Sequence, residues 1–394
     1  MVSKGLALWR VPASKTWSRA LAFLVRLLLT TDAVGGVWRY SLELAAGLGW
    51  DVTLAVLGPP PTTAQRTEAS GLRIVDTGLP LDWAAPDAAS LRASAAALAA
   101  LAAREGVEAV QLHAPALVGE APWPAPVVAV AHSDLATWWA AMRAGPVPAE
   151  FACNVAATSA GLERADAVVA PSWAMAEALR RAHRSGRAVE VVHNGRRPLP
   201  RGRGPRRRAV LTAGRLWDEA KGAAVLDQAA AGLDAPVWAA GAVAGPNGAA
   251  FVPRHLRLLG VLGEVGLAEA MAGASVFASA ARYEPFGLSV LEAAQSGLAL
   301  VLADIASLRE LWDGAALFVA PGDAAGFAHA MRRALDAPEA LAAAACERAE
   351  RYGVAAMATG MAEVYRRVAP PGRVRPEGKA RPEALPLDSA QGSP

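Results

Sequence analysis

The feature that most constrains this chain is an alternation that runs twice. From residue 26, short β-branched or Leu-rich runs alternate with helical segments: "RLLLTTD", then "VWRYSLELAAGLG", then "DVTLAVLG". The pattern returns with "EAVQLHA", "PVVAVAH", "ADAVVAP" and "AVEVVHN", and breaks at 194–208 into "NGRRPLPRGRGPRRR". It restarts with "AVLTAG" and "KGAAVLDQAAAGL", and further strand-like runs follow: "APVWAAG", "HLRLLG", "SVFASA", "LALVLAD" and "ALFVA". Strands spaced by helices of this length imply βαβ units and largely parallel sheets. The interruption, rich in Gly, Pro and Arg, marks a domain boundary.

The expected architecture is therefore α/β, with two Rossmann-like βα domains. The first covers 25–193, a basic linker 194–208 and the second domain 209–352. A C-terminal helix at 353–367 is expected to return to the N-terminal domain. The Pro-rich, polar 368–394 reads as a disordered tail. A length of 394 residues with 54% hydrophobic content suits two cores. "LRASAAALAALAAREG" has strong local helix propensity.

Charge and cysteine content narrow the class. A net charge of +3 is too small to argue for nucleic acid. Cys153 and Cys346 stand far apart in no metal-ligand spacing, which fits a reducing cytoplasm rather than a disulfide framework. No apolar run reaches the ~18–20 residues of a membrane span; the nearest, "ALAFLVRLLLT", is interrupted by Arg26. Lys4, Arg10, Lys15 and Arg19 give residues 1–24 a signal-like basic region, but an obvious small-residue cleavage site is missing. Residues 1–24 are read as an extension, with Val25 a candidate first residue of the native protein.

Three stretches carry chemistry. Gly35 and Gly36 lie between a strand and a helix, where backbone can approach a ligand and amides can face an anion; a tight turn accounts for them equally well. In "VLTAGRLWDEAKGAAVLDQAA" a strand ends at Gly214, Arg215 and Lys221 flank a short loop, and Gly222 opens a helix. Two cations at the mouth of a parallel strand can converge on a diphosphate. Lys221 is also the only lysine between residues 16 and 378, in a chain that otherwise uses arginine. In "RYEPFGLSVLEAAQSG", Glu284 lies in the loop at a strand's carboxyl end, where open parallel sheets bind ligands. Glu292 follows along the helix, and the amides of Phe286, Gly287 and Leu288 lie between them. One carboxylate can accept sugar hydroxyls, the other ribose hydroxyls.

These residues resemble the retaining GT-B glycosyltransferases of family 4 (glycosyl transferases group 1). Glu284 and Glu292 match that family's Glu-x7-Glu motif, and "GRLWDEAKG" its Gly-Arg-Leu…Lys-Gly motif. "ADAVVAPS", "VVHNGRR", "VGGV" and "GAALFVAPGD" extend the resemblance over about residues 25–367. Two departures stand out: Arg215 and Lys221 are six positions apart, one more than the commonest spacing. "IASLRE" also lacks the frequent glycine pair, though Glu310 is in place.

The resemblance implies two domains facing a cleft, with a nucleotide-sugar donor on the C-terminal domain and a hydroxyl acceptor on the N-terminal one. A hexose would pass from a nucleoside diphosphate to a glycan, lipid-linked or small-molecule acceptor, with retention. Glu284, Arg215, Lys221 and His132 are the expected catalytic residues. Gly35, Gly36, Gly214, Phe286, Gly287, Leu288 and Glu292 are expected to bind the donor. No metal or other cofactor is expected, and no Asp-x-Asp motif competes for the role. His132 is also read as a strand–helix cap, Asp134 as an N-cap, Trp138 and Trp139 as core or acceptor groove, and His113 as a weaker cleft candidate. Asn194 and Gly195 are read as a tight turn. The seven arginines of 196–208 are expected to be a solvated hinge, with peripheral contact to anionic lipid at the inner membrane face as a secondary expectation. The alternatives are a GT-B-fold nucleotide-sugar epimerase, a non-catalytic nucleotide-sugar binder and a nicotinamide oxidoreductase. The glutamate spacing, the intact charged residues and the missing dinucleotide fingerprint count against them in turn.

Overall fold

The structure is a computed structural model and describes residues 25–369 apart from 120, 204, 246 and 247. The expected extension 1–24, and all but the first two residues of the expected tail, lie outside the described residues. Two wholly parallel sheets form. The first contains β1 (Arg26–Asp32), β2 (Asp51–Leu57), β3 (Arg73–Asp76), β4 (Ala109–Leu112), β5 (Val127–Val130), β6 (Ala167–Ala170) and β7 (Glu190–Val191). The second contains β8 (Val210–Ala213), β9 (Val237–Ala240), β10 (Arg257–Gly260), β11 (Val276–Ser279), β12 (Ala299–Ala303) and β13 (Leu317–Val319).

Helices of the first half are α1 (Gly36–Leu48), α2 (Thr63–Glu68), α3 (Ala88–Glu105), α4 (Leu135–Met142), α5 (Ala152–Arg164) and α6 (Trp173–His183). Those of the second are α7 (Ala223–Ala230), α8 (Glu264–Gly273), α9 (Leu288–Gln295), α10 (Ala306–Trp312), α11 (Ala324–Asp336) and α12 (Glu339–Ala349), with α13 (Val354–Val368) last. Among the described residues no helix is long and apolar enough to cross a membrane.

Strand orders are β3-β2-β1-β4-β5-β6-β7 and β10-β9-β8-β11-β12-β13. Each sheet therefore reverses direction once, between β1 and β4 and between β8 and β11. At such a switch point the crossover helices leave on opposite faces, opening a crevice at the strands' carboxyl ends. The central strands of each sheet are buried on both sides, and Leu27 and Leu29 face one core while Leu28 faces the other. Met357, Met361 and Tyr365 of α13 lie in the first half's core, so the last helix crosses back and packs against α1.

Three expectations change. "RIVD" forms strand β3, which went unread because it is a half-exposed edge strand with polar ends. Asn194 and Gly195 make no turn: the segment is irregular, and a Cβ on Gly195 would stand 2.5 Å from the Gly353 carbonyl oxygen. Glycine is there because two chain crossings between the halves touch. The arginine segment is not a freely solvated hinge either. Arg196 is 2% exposed, Arg206 donates to the carbonyls of Ser296 and Gly297, and Arg208 bridges Asp234 and Asp336. With Arg197 on Glu43, four of the seven guanidinium groups are engaged by the protein's own acceptors.

Candidate active site

The carboxyl ends of β1 and β8, one from each sheet, carry the loops that meet across the crevice. After β1 the chain turns at Asp32, whose Oδ1 accepts the amides of Val34 and Gly35, both at 2.9 Å. Burial pushes the Asp32 carboxyl up, against the two amides and the Arg215 guanidinium, which pull it down. A Cβ on Gly35 would lie 3.5 Å from Nη1 of Arg215, and one on Gly36 would lie 3.4 Å from Cδ1 of Leu288. The glycine pair thus leaves open the space between the start of α1, the loop after β8 and the start of α9.

Opposite, Gly214 ends β8, and Arg215 projects half-exposed with Asp218 2.9 Å from its Nη2. A short 3-10 turn, Glu219–Lys221, then leads into Gly222 at φ 69°. A side chain there would meet the Ala280 carbonyl oxygen at 2.1 Å, so only glycine lets this loop close onto the end of β11. The amide of Arg282 completes that contact by donating to the carbonyl of Ala220 at 2.8 Å. The result is a direct pairing of two expected catalytic residues: Nζ of Lys221 is 2.6 Å from Oε2 of Glu284. Their side chains are 22% and 17% exposed, enclosed but open to a ligand.

The Glu284 loop is held from both sides. Gly287 at φ 89° caps α9, and Phe286 is buried against Tyr352. From the first half, Ser172 donates to the Pro285 carbonyl at 2.7 Å. The Tyr283 hydroxyl accepts the Asp134 amide at 3.1 Å and shares a 2.8 Å hydrogen bond with Thr137. Glu310 accepts the amides of Trp173 and Ala174 at 2.9 and 2.7 Å, capping α6 of the opposite half. The residues on either side of Glu284 therefore rest on the N-terminal half. Nothing in the local pattern of "RYEPFG" indicated that.

His132 and His113 sit at the ends of β5 and β4, with ring centroids 4.8 Å apart and Tyr40 packed against both. Burial pushes the His132 imidazole down to about 3, and burial followed by His132 pushes His113 well below its usual range. Both rings are neutral at pH 7. Nε2 of His132 and Nδ1 of His113 are enclosed without a hydrogen-bond partner. Asp134 caps α4 through the Thr137 amide, as expected, and stands 3.1 Å from the buried His183. Trp138 and Trp139 are half-buried, and the guanidinium of Arg143, which also pairs with Glu219, lies 4.9 Å from the Trp138 ring. Asp82, unread from sequence, has its carboxyl raised to about 6 by burial, with Asp134 and Asp32 adding to the effect.

Glu292 is placed differently from the expectation of a carboxylate open to the crevice. It is 8% exposed, and its Oε1 accepts from Nε of Arg196 at 2.8 Å. The same guanidinium reaches Glu43 on α1 and, at 2.9 Å, Glu264 on α8. No sequence signal singled out Arg196 from its six neighbouring arginines.

Comparison with known proteins bears on the fold and the family. Residues 34–198 match the model of Glycosyltransferase Family 4, and residues 207–337 that of Glycosyl transferases group 1. The chain belongs to these glycosyltransferases and is itself a glycosyltransferase of the GT-B fold. Among solved structures it is similar to sucrose-phosphate synthase from Thermosynechococcus elongatus, with a TM-score of 0.68 and 20% identity over 87% of this chain and 98% of that one. HepE of Anabaena, solved with UDP and glucose, gives a TM-score of 0.66 and 17% identity over 86% and 99%. WaaG, a glycosyltransferase involved in lipopolysaccharide biosynthesis, gives 0.65 and 15% over 86% and 99%. A search of curated proteins finds no match.

Proposed function

We propose that this glycosyltransferase moves a hexose from a nucleoside-diphosphate sugar to a hydroxyl acceptor with retention of configuration. The observation that carries the reading is the Lys221–Glu284 pair, which joins the loops after β8 and β11, with Arg215 of the same β8 loop beside Gly35. Breaking the anomeric C–O bond leaves charge on the departing diphosphate and an oxocarbenium-like sugar. Lys221 and Arg215 are the cations that meet that charge. Preorganised donors of this kind act where charge grows, and because they are already oriented they need no rearrangement as it does. The Leu288 amide and its neighbours at the start of α9 add backbone dipoles on the same side.

Glu284, freed from part of its Lys221 contact as phosphate arrives, accepts sugar hydroxyls and orients the ring. For Glu292, enclosed and paired through Oε1 with Arg196, the proposed role is to accept the ribose diol. Neutral His132 faces the sugar and acceptor side and can donate or accept one hydrogen bond without adding charge. The acceptor binds on the N-terminal half. The solved complex of HepE with UDP and glucose supports a nucleotide-sugar donor for this fold. A panel of UDP-, GDP- and ADP-hexoses, assayed for nucleoside diphosphate release with and without added acceptor alcohols, tests the reading. Release from none of them would sink it.

A further inference from the structure

The chain between the halves runs through residues 192–200 without helix, strand or turn, and its path forces one arginine inward. Gly195 is pressed against Gly353 at the start of α13. The next amide, of Arg196, donates to the Tyr352 carbonyl at 3.2 Å, while the Arg196 carbonyl accepts from Nε2 of Gln295 on α9 at 2.8 Å. With its backbone pinned on both sides, the side chain enters the interior and ends 1% exposed. Each nitrogen of the guanidinium meets a carboxylate on a different helix: Nε on Glu292, Nη1 on Glu43 and Nη2 on Glu264. A buried ion cluster of this kind contributes little to stability compared with apolar packing of the same volume. What it provides is a fixed position for each carboxylate, through a planar fork that an ammonium cannot imitate.

We propose that Arg196 is a positioning residue for the donor: it holds the Glu292 carboxylate in place for the ribose diol and ties it, through Glu43, to the acceptor-side half. The inference rests on the reading of Glu292 as the ribose contact. Burial pushes the Glu292 carboxyl up, and Arg196 is the main group opposing that. Without Arg196 the carboxylate loses its partner in a buried site and takes up a proton, and a neutral acid is a poorer acceptor for a diol. The other charged groups acting on it are Arg39 from α1 and Glu264 from α8, while Glu43 of α1 shares the Arg196 guanidinium and pairs with Arg197. From α12, packed behind α9, the core receives Ala345 and Ala349.

The test is donor kinetics of the full chain between about pH 6 and pH 9, for wild type, Arg196→Gln, Arg196→Lys and Glu292→Ala. Arg196→Gln should raise donor KM roughly tenfold or more near pH 6, the equivalent of one pKa unit or more. That loss should recover as pH rises and Glu292 ionises. Arg196→Lys should show the same behaviour with smaller amplitude, and Glu292→Ala a raised KM that does not recover. A merely structural role for Arg196 would lower the melting temperature and the active fraction, hence kcat, and leave donor KM and its pH profile unchanged; that result overturns the inference. If Arg196→Gln does not fold, the Arg196→Lys profile decides in the same terms. An unchanged donor KM in Glu292→Ala would instead refute the ribose reading, a failure distinguishable from that of Arg196.

Discussion

Removing the ammonium of Lys221 is the sharpest perturbation of this site. The Lys221–Glu284 contact is 2.6 Å long between side chains 22% and 17% exposed. Such a pair lies between the exposed ion pairs, worth at most about 1 kcal/mol, and fully buried ones, which cost about 3–5 kcal/mol to break. Lys221→Ala should therefore lower stability by roughly 1–2 kcal/mol, well inside the ~5–15 kcal/mol of a folded domain, so the protein stays folded. The effect on chemistry is larger. Loss of one preorganised donor to a developing anion costs about 10²–10³-fold in kcat, or ~2.7–4 kcal/mol.

Lys221→Arg should not restore the rate, because a planar guanidinium fork does not reproduce the compact point charge of an ammonium. The assay is turnover with a nucleotide sugar beside nucleoside diphosphate titration and urea unfolding. A kcat within about threefold of wild type in folded Lys221→Ala would refute the assignment of Lys221 to the leaving group.

Glu284→Gln should keep nucleotide affinity while transfer falls by at least about tenfold, since shape is retained and the charge facing the sugar is lost; full transfer activity would remove Glu284 from sugar positioning. Gly195→Ala should destabilise by about 1–3 kcal/mol in urea titration, because its methyl overlaps the Gly353 carbonyl; an unchanged midpoint would show that the two crossings can separate freely. His132 has a depressed native pKa of about 3 against 6.5 when unfolded, so its contribution to stability is complete above pH 6.5 and is lost as pH falls toward 3. At pH 4 the loss should approach about 3 kcal/mol, and His132→Gln should flatten that part of the pH–stability curve; a curve unaltered by the substitution would mean that the ring is not held neutral.

Much of this protein was written locally. Both sheets, the break between them and the placing of Glu284, Lys221 and the glycine pair at strand ends followed from short-range periodicity, because which face of a strand or helix is apolar depends on residues two to four positions apart. The half-exposed edge strand β3 lacked that signal, and β7 kept only two residues of a longer apolar run. Asp32 was within reach, since an Asp at a strand end commonly accepts the amides two and three residues on in the turn that follows.

The polar contacts that set the site's geometry were not written locally. Tyr283 meets Asp134 across 149 positions and Arg196 meets Glu43 across 153. One arginine among seven became the buried centre of a four-residue ion cluster because Gly195 and Gly353 bring two chain crossings into contact at that point. A side chain's charge and length are set by sequence. Which distant carboxylate it meets, and whether water is excluded when it does, depends on how the two halves close on each other, and that arrangement exists only in the folded chain.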